Sequence, residues 1–249
     1  MANAARSHPH TSNLLLDLMK PATKNALFPE LKPFELPLGT VLYEENEVQT
    51  VLYFPTSGIV SLLYTMPNGS SAEMTIVGSE GLVGFAALLG GKSTTTRALV
   101  QVAGHAFCIK KRVFEKFLET HPHLRQMMMC YMQSLLTQFA QTAVCNRHHT
   151  IEQQWCRWML MSMDRSANGQ IRMTQQMIAD MLGVRREGVS MVSNTLKTAG
   201  IIEYSRGVIS VIDRKGLEAR VCECYALVVR ETERLLPGSS KRFPAQRER

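Results

Sequence analysis

The most informative segment of this 249-residue chain is MTQQMIADMLGVRREGVSMVSNTLKTAGIIEYSRG, residues 173–207. Thr174 suits a helix N-cap, and apolar residues at helical spacing follow it. Gly183 predicts a tight turn, because glycine adopts the left-handed backbone at little cost. A second helix then ends at Gly200, and the β-rich runs IIEY and VISVI follow around a turn. The order helix, turn, helix, hairpin predicts a winged helix-turn-helix.

The second predicted helix has two chemically different faces. Its apolar face, with Val189, Val192 and Leu196, is expected to pack on the first helix. The opposite face carries side chains that can reach base edges and phosphates. These are Arg185, Arg186, Ser190, Asn194 and Lys197. A helical hairpin that only fills a core has no need of this combination, so the segment indicates DNA binding.

Charge is distributed unevenly along the chain. Residues 1–145 hold 11 basic and 10 acidic side chains, whereas residues 146–249 hold 17 basic and 11 acidic ones. A nearly neutral front half and a basic rear half favour a sensing or scaffolding domain joined to a polyanion-binding domain.

The cysteines and the hydropathy pattern exclude several further classes of protein. The six cysteines form no CxxC pair, so we predict neither a disulfide framework nor a zinc finger, and no metal site. The N-terminal run LLLDLM is too short for a signal-peptide core, and no apolar run is long enough to cross a membrane. We therefore expect a cytoplasmic protein without a membrane partner.

The front half is punctuated by glycine and proline turns. Between them lie short β-rich runs: VLYF at 51–54, IVSLLYT at 59–65, AEMTIV at 72–77 and ALVQV at 98–102. This spacing predicts an antiparallel β-barrel or jelly roll over residues 34–119. Residues 1–33 are expected to form a loose lead-in with a short helix near 13–19.

A long helix is predicted over residues 120–146. Leu124, Met128, Tyr131 and Leu135 follow a heptad-like spacing that predicts a dimer interface. The alternative is that the whole apolar face covers the barrel. The interruption at 146–149 predicts the boundary of a DNA-binding domain over 147–236. Residues 237–249 are expected to be a disordered basic tail.

In this order of parts the chain resembles the Crp/Fnr family of bacterial transcription regulators. The resemblance rests on LYFPTSGIVSLLY (52–64), EGLVGFAALLGG (80–91) and TQQMIADMLGVRREGVS (174–190). It implies an α+β protein with an N-terminal antiparallel barrel, a long dimerisation helix and a C-terminal winged helix-turn-helix.

The resemblance also assigns roles in DNA binding. Arg186 and Glu187 match the pair that contacts bases in the family, and Arg can bind guanine while Glu accepts from cytosine. Met191 stands where members often have another arginine, and Arg185 stands where a serine often caps the helix. Ser190, Arg185 and Asn194 are further candidates for base contacts. Candidates for phosphate contacts are Thr174, Gln176, Lys197 and Arg206.

The positions that match the family's effector pocket depart from its pattern. Gly84 and Phe85 fall where cyclic-nucleotide-binding members have a Gly-Glu step, and Phe85 cannot accept from a ribose hydroxyl. Thr94 and Thr95 fall where an arginine would hold the phosphate; Arg97, two residues later, is either a substitute or a surface residue. We therefore expect an effector other than cyclic AMP, or none, and we predict no cofactor.

Other sensing chemistries find little support. The first cysteine is Cys108, so an N-terminal iron–sulfur cluster is disfavoured. We assign Cys130, Cys145 and Cys156 to buried packing. Cys222 and Cys224 are placed on one helix (214–236), where residues two apart diverge, so packing is again expected. Protonation of His148 and His149 at the boundary is a weaker hypothesis for control of domain packing.

The predicted function is a homodimeric regulator that binds double-stranded DNA at an inverted repeat with half-sites one turn apart. Activation would add contact with RNA polymerase. Two other classes of protein fit the sequence less well. An enzyme is disfavoured because the GxSxG, GxxxxGK[ST], HExxH and GxGxxG motifs are absent, and no catalytic residue is assigned. A cyclic-nucleotide-like module that regulates a partner protein without specific DNA binding is disfavoured by the basic helix.

Overall fold

The computed structural model describes residues 11–166 and 170–239. It opens with two short helices, α1 (Leu14–Leu18) and α2 (Pro21–Leu27), and a 3-10 turn, η1 (Phe28–Glu30). Asn13 caps α1 and also donates from Nδ2 to the carbonyls of Pro55 and Gly81, at 2.8 and 2.9 Å. From residue 11 onward the predicted loose lead-in is therefore packed onto the barrel; residues 1–10 lie outside the described residues.

Seven strands form the barrel domain as two antiparallel sheets. They are β1 (Lys32–Leu36), β2 (Val41–Tyr43), β3 (Val51–Pro55), β4 (Ile59–Thr65), β5 (Ser71–Val77), β6 (Arg97–Val102) and β7 (Gly104–Lys110). The strand orders are β1-β7-β3 and β2-β6-β4-β5. A 3-10 helix, η2 (Phe85–Leu89), lies between β5 and β6. The predicted antiparallel barrel is confirmed.

Three helices lead out of the barrel: α3 (Lys111–Thr120), α4 (Pro122–His148) and α5 (Ile151–Arg165). The long helix α4 continues through Asn146, and His149 is its C-cap. Thr150 then starts α5 with a capping box, in which its side chain and that of Gln153 satisfy each other's backbone N–H groups. The break between α4 and α5 is thus confined to His149 and Thr150.

The inner face of α4 lies against the barrel. Leu124, Met128, Tyr131 and Leu135 are only 2–4% exposed within the single chain. The Tyr131 hydroxyl donates to the Leu82 carbonyl and accepts from its N–H, both at 2.9 Å. We therefore correct their assignment to the dimer interface, because side chains enclosed by their own chain offer no surface to a partner.

The C-terminal domain is a winged helix-turn-helix. Its elements are β8 (Gln170–Arg172), α6 (Gln175–Leu182), α7 (Arg186–Thr198), β9 (Ile202–Ser205) and β10 (Val208–Val211), with sheet order β8-β10-β9. The third strand, β8, was not predicted. The apolar faces of α6 and α7 are buried as expected; Ile178, Val189 and Leu196 are fully enclosed.

The helix predicted over 214–236 is in fact two helices, α8 (Arg214–Glu218) and α9 (Glu223–Leu235). Cys222 is the N-cap of α9, with an extended backbone at φ −76° and ψ 164°. Cys222 and Cys224 therefore do not diverge as they would inside a helix. α9 lies along α4, and Leu236 at its end is buried in the barrel core.

The barrel and the winged domain are packed on each other. α6 lies against β5, and a Cβ on Gly183 would come within 3.7 Å of the Ala72 Cβ. Arg165 of α5 donates to Glu80, in the turn after β5, at 2.7 Å. Across residues 11–166 and 170–239, no helix has both the length and the apolar character that crossing a membrane requires.

Candidate DNA-binding surface

Local capping fixes the geometry of the helix pair. The Thr174 side chain accepts from the Met177 N–H, which starts α6, and Gly183 ends it with φ +66°. The Val184 N–H then donates to the Ala179 carbonyl at 3.0 Å. Because the inner faces of both helices are buried, the orientation of the outer face of α7 is set by the core.

The outer face of α7 is accessible. Arg186, Glu187, Asn194 and Lys197 are exposed, and so is Arg185, the N-cap residue. Met191, at the position where the resemblance led us to expect an arginine, is 65% exposed. This face therefore presents a mixture of cationic, acidic, amide and thioether groups to a ligand.

An open groove of about 540 Å³ runs between α7, the start of α6 and the wing, which is the β9–β10 hairpin (residues 202–211). Six of the nine predicted DNA-binding residues line it: Thr174, Gln176, Arg186, Asn194, Lys197 and Arg206. Three of these are cationic, and none of the described residues that line the groove is acidic. The groove is therefore suited to a polyanion.

Two of the side chains predicted to contact DNA form hydrogen bonds within the protein. The Ser190 hydroxyl donates to Gln175 Oε1 at 2.5 Å and thereby joins α7 to α6. The Gln176 side chain donates to Asp180 at 2.8 Å, although both remain exposed. Ser190 is thus better placed to orient Gln175 than to bind a base directly.

The groove also contains residues that the sequence analysis missed: Gln175, Ser193, Tyr204 and Gly207. Burial raises the pKa of Tyr204, although Arg186 opposes this. The Tyr204 hydroxyl donates to the Met173 carbonyl at 2.8 Å, which joins the wing to the start of α6. Two of these residues could have been predicted from their positions in the sequence. Gln175 follows the N-cap directly, and Tyr204 lies in the predicted hairpin.

Two of the residues predicted for the effector pocket, Phe85 and Arg97, contact other side chains of the protein. Phe85 packs on Tyr131 and Phe139, with ring centroids 6.4 and 6.5 Å apart. Arg97 lies 3.4 Å from the carboxylate of Glu44. The Arg97 Nε atom is buried and makes no hydrogen bond to the described residues.

A missed residue, Gln49, lies in this region. It is 3% exposed, and neither its Oε1 nor its Nε2 has a hydrogen-bond partner among the described residues. Its backbone N–H donates to the Lys92 carbonyl. The nearby Asn46 backbone N–H donates to the Thr94 carbonyl, so the segment before β3 is held against the 92–94 loop. A Cβ on Gly84 would lie 3.7 Å from Gln49 Oε1. The amide is therefore enclosed between the Gly84 turn and the 92–94 loop.

A barrel, a long helix and a winged helix-turn-helix with a cationic groove together define a DNA-binding regulator with a sensor-like domain. The family model for the cyclic nucleotide-binding domain matches residues 33–121, and that for the Crp-like helix-turn-helix domain matches residues 153–220. The chain belongs to the Crp/Fnr family and is a DNA-binding transcription regulator. No curated protein sequence matches it.

Solved structures share the fold at low sequence identity. FixK2 from Bradyrhizobium japonicum is 19% identical, with a TM-score of 0.65, over 77% of this chain and 98% of that chain. CLP from Xanthomonas campestris, a c-di-GMP-responsive global regulator, is 16% identical, with a TM-score of 0.63, over 77% and 99%. A CooA mutant from Carboxydothermus hydrogenoformans is 16% identical, with a TM-score of 0.59, over 88% and 99%. At these identities the similarity establishes the fold.

Proposed function

We propose that this regulator binds, as a homodimer in the cytoplasm, an inverted-repeat operator through α7. The observation that carries the proposal is the exposed face of α7 beside a groove whose described lining residues include three cations and no acidic side chain. In a dimer, two such helices would enter successive major grooves about 34 Å apart.

The side chains on α7 divide by the chemistry they offer. Arg186 would bind guanine O6 and N7, and Glu187 would accept from cytosine N4. Met191 would contact a thymine methyl group, since an exposed thioether chain offers apolar surface but no charge. Lys197 and Arg206 would bind phosphates. The operator is therefore expected to differ from one read by an arginine at position 191.

The test is selection of fragmented genomic DNA on the purified protein, followed by binding measurements on the enriched site. We expect one inverted repeat, and Arg186→Ala should weaken binding to it by about 1–3 kcal/mol. Affinity for random DNA should fall much less. Arg112→Ala, an exposed arginine on α3, matches the charge change and should leave both affinities unaltered. Equal losses on specific and random DNA would contradict base recognition by Arg186.

For the dimer surface we propose the outer side of α4. Exposed residues recur there at alternating spacings of three and four: Gln126, Met129, Gln133, Leu136, Ala140, Ala143 and Arg147. This is the heptad spacing of a two-stranded coiled coil, with small residues near its C-terminal end. Met129 and Leu136 are 50% and 65% exposed in the single chain, so both can be buried by a second copy.

Leu136→Glu should shift the protein from dimer to monomer, because two buried carboxylates would face each other across the seam. Sedimentation velocity measures the change, and operator affinity should fall with it. Leu38→Glu makes the same chemical change at a residue 51% exposed in the barrel and should leave the dimer intact. A Leu136→Glu variant that sediments as wild type would place the interface elsewhere.

For the sensor domain, we propose a small polar ligand, other than cyclic AMP, that bonds to the Gln49 amide. The buried Gln49 amide has no hydrogen-bond partner within the described part of the chain, and a ligand that bonds to it would recover the free energy this costs. Thermal-shift titration with cyclic AMP, cyclic GMP and c-di-GMP is the first screen. A ligand that raises the melting temperature of the wild-type protein should no longer raise that of Gln49→Leu. A ligand that raises both melting temperatures equally would bind elsewhere.

A further inference from the structure

Four potential metal ligands meet at the junction of α4, α5 and α9. They are Cys145, His149, Cys222 and Cys224, and their ligand atoms all lie within 4.8 Å of one another. The three cysteines are buried and His149 is half-buried. The Sγ atoms of Cys145 and Cys222 are 3.6 Å apart, as are Cys224 Sγ and His149 Nδ1.

These separations fit the edges of a tetrahedron around one ion. With metal–sulfur bonds of about 2.3 Å and a metal–nitrogen bond of about 2.0–2.1 Å, the sulfur–sulfur edge is about 3.8 Å and the sulfur–nitrogen edge about 3.6 Å. The widest separation of the set is below 4.8 Å, so side-chain shifts of about 0.5 Å per ligand would close it onto a common ion. Three thiolates and one imidazole are a ligand set typical of structural zinc.

The surroundings of the four ligands also suit a metal. His149 presents Nδ1 to the cysteines, and its Nε2 lies 3.2 Å from a carboxylate oxygen of Glu223. Metal-binding histidines usually donate their other ring N–H to a carboxylate or carbonyl, which fixes the ring and raises its basicity.

A buried cation lies close enough to the cluster to stabilise its thiolates. Three thiolates and Zn²⁺ carry one net negative charge. The Arg157 guanidinium is 5% exposed and acts electrostatically on both Cys145 and Cys224. The same guanidinium also acts on Glu73, so the cluster shares its charge with that carboxyl group.

We propose that Cys145, His149, Cys222 and Cys224 bind one zinc ion that fastens α9 to the α4–α5 junction. A Cys145–Cys222 disulfide would use only two of these side chains and leave Cys224 and the oriented His149 unexplained. Apolar packing alone accounts for none of the Glu223–His149–Cys224 alignment.

The site would fix the DNA-binding domain relative to the dimerisation helix. Cys145 lies in the last turn of α4, His149 is the C-cap before α5, and the other two cysteines start α9. The last two ligands and α9 lie beyond residue 220, where the match to the helix-turn-helix family model ends. Zinc would therefore hold an additional C-terminal helix of this chain along α4.

The experiment measures metal on the full-length protein purified under reducing conditions from zinc-supplemented cells. Elemental analysis should give one zinc per chain, and replacement by Co²⁺ should give the visible spectrum of a tetrahedral thiolate site. Cys145→Ser and Cys224→Ser should lose the bound metal. Cys130→Ser, on the same helix but outside the cluster, should keep it.

If the serine variants fail to fold, His149→Cys still tests the site, because this variant keeps four metal ligands. It should retain zinc while its Co²⁺ thiolate bands intensify. Wild-type protein with substoichiometric zinc and no tetrahedral Co²⁺ spectrum would overturn the proposal. So would a Cys145–Cys222 disulfide in protein alkylated at lysis, or equal metal loss from Cys130→Ser and Cys145→Ser.

Discussion

Glu73 is a carboxylic acid enclosed between the barrel and the DNA-binding domain. Its Oε2 lies 2.7 Å from the Ser61 hydroxyl, which lies 2.6 Å from Gln101 Oε1. The Ser61 hydroxyl carries one proton, which it donates to the Glu73 carboxylate when Glu73 is ionised. Burial raises the pKa of Glu73 to about 7, against the opposing effects of Ser61, Arg157, Trp158 and Arg165.

This shift makes stability depend on pH. Because the pKa is higher in the folded protein, the native state holds a proton that the unfolded chain releases from about pH 4.5 upward. The stabilisation is therefore complete below pH 4.5 and is lost as the pH rises through 7. Its full size is on the order of 3 kcal/mol.

Glu73→Gln should remove most of this dependence, since the amide oxygen can still accept from Ser61 and the amide never ionises. At pH 8 the variant should be more stable than wild type by roughly 1–3 kcal/mol, and the difference should shrink toward pH 5. Urea unfolding across this range measures it, with Glu187→Gln on the exposed face of α7 as the control. A gap that stays constant with pH would show that Glu73 is ionised throughout.

At the scale of elements, the turn of the wing has a strained backbone at a residue with a cationic side chain. β9 and β10 are joined by Arg206 and Gly207, whose φ angles are +50° and +75°. A two-residue hairpin loop with both φ values positive is a type I′ turn, which favours asparagine before glycine. An arginine in the left-handed region costs about 1 kcal/mol, and here its side chain lines the groove.

Arg206→Asn should therefore change stability and binding in opposite directions. The free energy of unfolding should rise by about 0.5–1 kcal/mol. Affinity for all DNA sequences should fall, and the slope of the logarithm of the binding constant against the logarithm of salt concentration should become shallower by about one. Arg206→Lys keeps both the charge and the strain, so it should match wild type in both measurements. Loss of stability in Arg206→Asn would mean that the arginine is held by contacts within the protein.

The elements differ in how well the sequence could predict them. The helix-turn-helix was predictable because Thr174 and Gly183 act within a few residues of their own positions. The predicted interface residues of α4 turned out to be buried against the barrel, because both faces of the helix carry apolar residues at heptad spacing and only the barrel shows which one is covered. Cys145 and Cys222 are 77 residues apart in sequence, so their proximity depends on how α9 packs.

At the scale of the whole molecule, one buried ion pair joins the two domains. Arg165 at the end of α5 and Glu80 in the barrel have side chains only 5% and 8% exposed, with nitrogen and oxygen 2.7 Å apart. Arg165 also donates to the Met161 carbonyl, and Glu80 accepts from the Gly78 N–H. The pair therefore ties the helix that enters the DNA-binding domain to the turn before η2, next to the predicted effector positions.

Glu80→Ala should destabilise the protein by roughly 3 kcal/mol, because the buried guanidinium loses this carboxylate. Glu152→Ala breaks a pair on the same α5 helix, Glu152–Arg220, whose side chains are 33% and 37% exposed, and should cost less than about 1 kcal/mol. Urea unfolding measures both losses. If signals in the barrel reach the DNA through this contact, Glu80→Ala should also change operator affinity at temperatures where the protein remains folded. An unchanged affinity, together with the stability loss, would limit the pair to holding the domains together and would place the coupling between sensor and DNA in another contact, such as α6 on β5.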